Sequence, residues 1–170
     1  MDADFSHNPD DLIRLFKACA TSAELKAENL VESEAGNGDM SIGSRYINGV
    51  NVVNWPMGRV LMSYFASKYV NLITGLPIQD ATAGFKCYHR SVLEGIALDK
   101  IKFIGYAFQI EMKFTTWKLG FKLVEVPIIF TDRTRGQSKM SPKIFKEAVL
   151  GVMLMKLKSI FKPYRLVKSN

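Results

Sequence analysis

Met1-Asp2-Ala3-Asp4-Phe5-Ser6-His7-Asn8-Pro9 sets two carboxylates one residue apart, ahead of a turn signal, and a helix opens at Pro9-Asp10-Asp11. The stretch reads as a short acidic loop where a strand hands over to a helix. Hard divalent cations take oxygen ligands, and Mg²⁺ or Mn²⁺ commonly uses one or two protein carboxylates with substrate phosphates and waters completing the shell. Asp2 and Asp4 are therefore candidate metal ligands. Asp-x-Asp before Asn-Pro is also ordinary loop and helix-cap chemistry, and the residues alone leave both readings open.

Outward from that loop, 9–31 reads as one helix, with Leu12, Leu15, Phe16, Cys19 and Ala20 at helical spacing. A glycine-containing polar loop over 33–39 leads to a short strand at 40–46 that ends in Gly43-Ser44-Arg45-Tyr46. Val60, Leu61, Tyr64, Phe65, Tyr69, Leu72 and Ile73 then recur every three or four residues, predicting an amphipathic helix over 56–74 closed by Gly75 and Pro77. In the segment 79–88 that follows, a buried Asp80 would be costly unless paired or bound to a ligand. Short helices are expected from His89 to Leu98 and from Ala107 to Leu119, the second ended by Gly120. Lys122 to Thr131 reads as a strand whose Pro127 argues for an edge position.

The 170 residues suffice for one domain with a proper core. The charge is uneven: 133–170 hold ten Lys or Arg against Glu147 alone, so this tail carries +9 while the whole chain carries +7. Such a tail suits phosphate-rich partners. Within it, Asp132-Arg133-Thr134-Arg135-Gly136-Gln137-Ser138-Lys139 makes a basic loop that could grip a diphosphate or simply lie solvated on the surface. A last helix is expected over 143–161, where Lys143, Lys146, Lys156 and Lys158 flank a nearly continuous apolar run. That pattern fits either a helix lying on a membrane surface or a core helix with a solvated edge. Cys19 and Cys87, far apart and without neighbouring ligands, read as reduced thiols. The opening residues lack the basic-then-apolar pattern of an export signal, and no run of 18 apolar residues occurs. Nucleic acid is not the expected partner, because the tail alternates lysine with long aliphatic residues instead of carrying exposed aromatics for base stacking.

Six ordered motifs carry a resemblance: Asp2-Ala3-Asp4-Phe5, Gly43-Ser44-Arg45-Tyr46, Asp80-Ala81-Thr82-Ala83-Gly84-Phe85, Gly105-Tyr106-Ala107-Phe108-Gln109-Ile110-Glu111, Glu125-Val126-Pro127-Ile128, and Asp132-Arg133 followed by Gly136-Gln137-Ser138-Lys139. Together, over residues 1 to about 162, the chain resembles the family 2 glycosyltransferases with the GT-A fold, most closely the polyprenol or dolichol phosphate mannosyltransferases. The resemblance implies an α/β, Rossmann-like GT-A domain with a mixed sheet and flanking helices. It divides the chain into a partial catalytic domain, 1–142, and a basic amphipathic helix and tail, 143–170. The family's domain begins well before its Asp-x-Asp motif, so the chain is expected to be the C-terminal part, roughly 60% of such a domain, lacking the part that binds the base and ribose.

The resemblance also assigns roles. Asp2 and Asp4 would hold Mg²⁺ or Mn²⁺ on the diphosphate of the donor, with Ser6 standing where some relatives place a glutamine ligand. Arg45, Arg59 and Ser63 would bind the acceptor phosphate, and Arg133 and Lys139 the donor diphosphate. Asp80, Arg45 and Arg133 would form the catalytic set, with Glu111 a weaker addition. The implied reaction moves mannose from GDP-mannose to a polyprenyl (dolichyl) phosphate with inversion, at the cytosolic face of a membrane. UDP-glucose is the alternative donor within the family. A reading of another class is a catalytically incompetent fragment that binds membrane surfaces or lipid phosphate.

Overall fold

A computed structural model describes residues 6–31, 36–132, 142–161 and 164–167, with 142–147 as backbone only. Its centre is β1 (Met40–Ser44), buried at every position. On one side β1 pairs in parallel with β4 (Leu123–Pro127), from Met40 opposite Leu123 to Ser44 opposite Pro127. On the other it pairs antiparallel with β3 (Lys86–Tyr88), Ser41 facing Cys87. Successive side chains of a strand point to opposite faces. Met40 and Ile42 accordingly enter the larger core with Val70, Ile78, Ile110, Phe114, Val152 and Met155. Ser41 turns the other way, and its hydroxyl donates to the Leu15 carbonyl at 2.7 Å. Helices cover both faces of the sheet, as a fully buried central strand requires.

α1 (Asp11–Cys19) covers the Ser41 face, and Leu15 packs there with Phe85 and Ile128. The opposite face is closed by α3 (Met57–Thr74), α5 (Gly105–Lys118) and α6 (Pro142–Phe161), with α6 packed on both α3 and α5. α5 lies deepest, its residues 110–116 all buried. The small helix α4 (Arg90–Gly95) follows β3. A second, two-stranded sheet pairs β2 (Val52–Val53) in parallel with β5 (Phe130–Thr131). The mixed sheet with flanking helices is the α/β arrangement expected.

Three expectations are refined. The helix expected over 9–31 is two helices, because Thr21 caps α2 (Ser22–Ala27) with a reciprocal capping box: the Thr21 hydroxyl accepts from Glu24 N, and Glu24 Oε2 accepts from Thr21 N at 2.7 Å. The strand expected over 122–131 is also two. Ile128 N still donates to Ser44 O at 3.0 Å, after which Ile129 is exposed and the chain crosses to β2. Pro127, with no N–H to give a ladder, ends β4 at the edge of the described three-stranded sheet.

Along α3 the apolar stripe splits. Tyr69 and Ile73 meet the core, while Leu61, Phe65 and Leu72 face solvent. Gly75 closes this helix as expected, in the left-handed conformation at φ 77°. Cys19 and Cys87 are free thiols, but α1 and β3 bring them together, and the hydrogen bond with Cys87 lowers the Cys19 thiol to about 7.

Candidate acceptor-phosphate site

Arg45 leaves the carboxyl end of β1, and Asp80 lies in the loop that precedes β3. Both are buried, Asp80 completely. The guanidinium takes the carboxylate with two nearly parallel bonds, Nε to Oδ2 and Nη2 to Oδ1, each 2.7 Å. Arg45 N donates to Oδ2 at 3.1 Å, and Nη2 also reaches the Thr82 hydroxyl at 2.9 Å. Burial alone would oppose charge on Asp80, yet these bonds and the positive charge of Arg45 hold its carboxyl below the ordinary carboxylate range. The charge expected to need a partner has a bidentate one, the strongest side-chain geometry available to a carboxylate.

Aromatic rings enclose the guanidinium. Its Cζ lies 5.2 Å from the Tyr46 ring centroid, 5.3 Å from that of Trp55 and 5.7 Å from that of Phe130. Arg59, from the first turn of α3, stacks on the same indole at 4.1 Å and binds Asp132 Oδ1 at 2.7 Å. Ser63, one turn further along α3, sits beside the Tyr46 hydroxyl, whose acidity burial weakens. Arg45, Arg59 and Ser63, which the resemblance assigns together to one acceptor phosphate, lie around Tyr46 and Trp55. Trp55 Nε1 is buried and makes no hydrogen bond among the described residues. An indole N–H can only donate, so two arginines and an unpaired donor meet at one place, a set suited to an anion.

Asp2, Asp4, Arg133 and Lys139 lie outside the described residues. Ser6, which follows the acidic motif, accepts a backbone bond from Thr131 N at 3.1 Å, two residues before Arg133. His7 packs beside them, 4.7 Å from Phe85 and 5.0 Å from Phe130, ring centre to ring centre. An open cleft of about 370 Å³ borders Ser6, His7, Asn8, Pro9, Ile129 and Thr131. Among the described residues no three acidic, His or Cys side chains could hold a cation. An all-carboxylate pair such as Asp2 and Asp4 nevertheless has the oxygen chemistry that Mg²⁺ and Mn²⁺ prefer. Glu111 stands apart: its Oε2 accepts from Lys102 N and Phe103 N, both at 2.9 Å, and ties α5 to the segment before it.

Sequence reading missed Trp55 and Thr82 as parts of the site. It also missed Lys113, whose position inside a buried apolar helix was a visible signal, and gave no role to Glu125.

No protein-family model matches the chain. Curated relatives do. The chain is 42% identical over 152 residues to an undecaprenyl-phosphate mannosyltransferase of Micrococcus luteus, covering 89% of this chain and 56% of that protein. It is 41% identical over 152 residues to a polyprenol monophosphomannose synthase of Mycolicibacterium smegmatis, covering 89% and 52%. A dolichol-phosphate mannosyltransferase of Pyrococcus furiosus is 33% identical over 151 residues, covering 86% and 37%. Over most of its length the chain is thus similar to proteins named as polyprenyl- or dolichyl-phosphate mannosyltransferases, in keeping with the resemblance its motifs carry. It spans about half the length of the first two of these relatives.

Proposed function

We propose that the chain transfers mannose from GDP-mannose to a polyprenyl phosphate, with inversion at the anomeric carbon and with Mg²⁺ or Mn²⁺ on the donor diphosphate. The observation that carries this reading is the meeting of Arg45 and Arg59 on Trp55, beside an indole N–H with no partner among the described residues. A phosphate monoester is largely a dianion at neutral pH and needs no protein base to act as nucleophile. The work left to the protein is to hold that oxygen in line and to balance charge. Arg45 is preset for this by Asp80, and Arg59 can exchange its half-exposed bond with Asp132 for the acceptor. A divalent ion, held by Asp2 and Asp4, would neutralise the departing diphosphate. The hydrogen bond joining Ser6 to Thr131 supports an arrangement in which Asp4 and Arg133, each two residues from it along the chain, serve one donor.

A lipid acceptor is supported by apolar side chains exposed along the helix that carries Arg59 and along the helix packed on it. Beyond Arg59, α3 exposes Leu61, Met62, Phe65 and Leu72, and its neighbour α6 exposes Leu150, Leu154, Leu157 and Phe161. No described helix is long and apolar enough to cross a membrane. A peripheral position on the cytosolic face, with these two helices toward the lipid, would bring the acceptor headgroup to Arg45 and Arg59.

The test is transfer of radiolabelled mannose from GDP-mannose to polyprenyl phosphate in detergent, with and without EDTA. Metal-dependent formation of a lipid product, its anomeric configuration opposite to the donor's, is expected. Retained configuration would overturn the mechanism, and a preference for UDP-glucose would overturn the donor. Lipid-phosphate binding that persists in EDTA with no transfer would instead favour a binding module.

A further inference from the structure

The loop that carries Asp80 is gripped from two sides by groups to which no role has been given. Glu125, on β4, stands opposite Ile42 of β1, three residues before Arg45. Its carboxylate accepts from two consecutive amides, Oε2 from Gln79 N at 2.7 Å and Oε1 from Asp80 N at 2.9 Å. Lys113, on α5, is completely buried, and its Nζ donates to Ala81 O at 2.9 Å and Ala83 O at 2.6 Å. A carboxylate thus accepts from the amides at the start of the loop, and the Lys113 amine, which burial pushes well below the ordinary lysine value, donates to carbonyls at its end. Phe85 O closes the segment by accepting from Gly43 N at 2.8 Å.

We infer that Glu125 and Lys113 are positioning residues: they fix the backbone of 79–83 so that the Asp80 carboxylate meets Arg45 in bidentate register and holds the guanidinium toward the acceptor phosphate. The inference rests on the reading of Arg45 as an acceptor contact. The physical ground is the geometry of the pair. Two parallel N–H to oxygen bonds tolerate little rotation of the carboxylate plane. The loop around Asp80 contains Ala81 and Ala83, which are buried in the larger core but offer only a methyl group each, and Gly84, which has no side chain. Side-chain hydrogen bonds from two neighbouring elements add to what these small side chains supply. Glu125 is half-buried at the sheet edge, so its two acceptors are not needed to fill the core. Removal of its charge releases the Gln79 and Asp80 amides while leaving α3, α5 and α6 packed.

The test needs a readout that general destabilisation does not move. Arg45 Nε–H, buried and bonded to Asp80, should give a shifted, exchange-protected ¹H–¹⁵N signal, assigned by its loss in Arg45→Lys. In Glu125→Gln and, independently, in Lys113→Met, exchange of this proton is expected to accelerate at least about tenfold. Binding of farnesyl phosphate, followed by ³¹P NMR, should weaken in parallel. Thr21→Ala, which removes the cap of α2 away from the site, should leave the Arg45 signal unchanged. Unaltered exchange in both Glu125→Gln and Lys113→Met overturns the inference. If the wild-type chain does not bind farnesyl phosphate, the acceptor reading fails, while the positioning of Arg45 is still decided by its exchange rate.

Discussion

Asp80→Asn keeps the shape of the side chain and one acceptor but turns an amide toward the guanidinium of Arg45, a residue only 8% exposed. The arginine stays charged, since no protein environment of this kind deprotonates it. Breaking a buried pair by neutralising one partner costs about 3–5 kcal/mol, because the remaining charge is left without compensation. For a domain of 150–250 residues each kcal/mol lowers the melting temperature by about 2–4 °C, which puts the expected fall between about 6 and 20 °C. Thermal melts followed by far-UV circular dichroism measure it. The pH dependence has a definite sign. Asp80 titrates lower in the folded chain than in the unfolded one. Its stabilising contribution is complete above the unfolded carboxylate value near 4 and is lost as pH falls through the lower folded value. Wild-type stability should therefore drop more steeply below pH 4 than that of Asp80→Asn. Replacing both partners with apolar residues, Arg45→Met with Asp80→Leu, should cost less than the two single changes added. A melting temperature for Asp80→Asn within about 2 °C of wild type, or additive effects in the double variant, would refute a buried, bidentate pair.

Burial pushes the Lys86 ammonium down to about 8, and its Nζ faces the Tyr88 and Phe108 rings at 5.5 Å each. Between that value and about 10.5 the unfolded chain binds the extra proton, so wild-type stability should rise with pH there, and Lys86→Met should melt higher at pH 7 with a flatter alkaline profile. Gly75→Ala forces a Cβ onto a residue at φ 77°, with only Trp117 near at 3.8 Å, and should cost about 1 kcal/mol in urea denaturation through backbone strain alone. Phe65→Glu and Leu157→Glu alter side chains that are 62% and 51% exposed. They should lower sedimentation with anionic vesicles severalfold while leaving the melting temperature nearly unchanged, and equal sedimentation would remove α3 and α6 from the lipid-facing surface.

Local chemistry was legible where a single residue carried it. Gly75 ended α3 because a left-handed residue does so without a Cβ, and Pro127 marked a strand edge because it has no N–H to share. The break at Thr21 was equally local, a Thr-x-x-Glu capping box, but the apolar spacing of 12–20 masked it. Burial on α3 was harder to read. Tyr69 and Ile73 are spaced like Leu61, Phe65 and Leu72, and only the docking of α6 decides which of them face inward. The site was legible as residue types and not as a structure. That Asp80 needs a partner follows from solvation; that the partner is Arg45, 35 positions earlier, depends on β1 and the loop before β3 meeting. Glu125 and Lys113 reach across 45 and 32 positions to their main-chain partners, and no periodicity encodes such contacts.

The central claim, that Arg45 and Arg59 with the Trp55 indole form the seat of a polyprenyl phosphate, is tested most directly by ³¹P NMR titration of farnesyl phosphate into the chain, with farnesol as competitor. Saturable broadening and shift of the phosphate signal, weakened at least about tenfold by Arg59→Gln and unaffected by farnesol, are predicted. Absence of saturable binding, or equal binding by Arg59→Gln in a chain that melts like the wild type, would contradict the account.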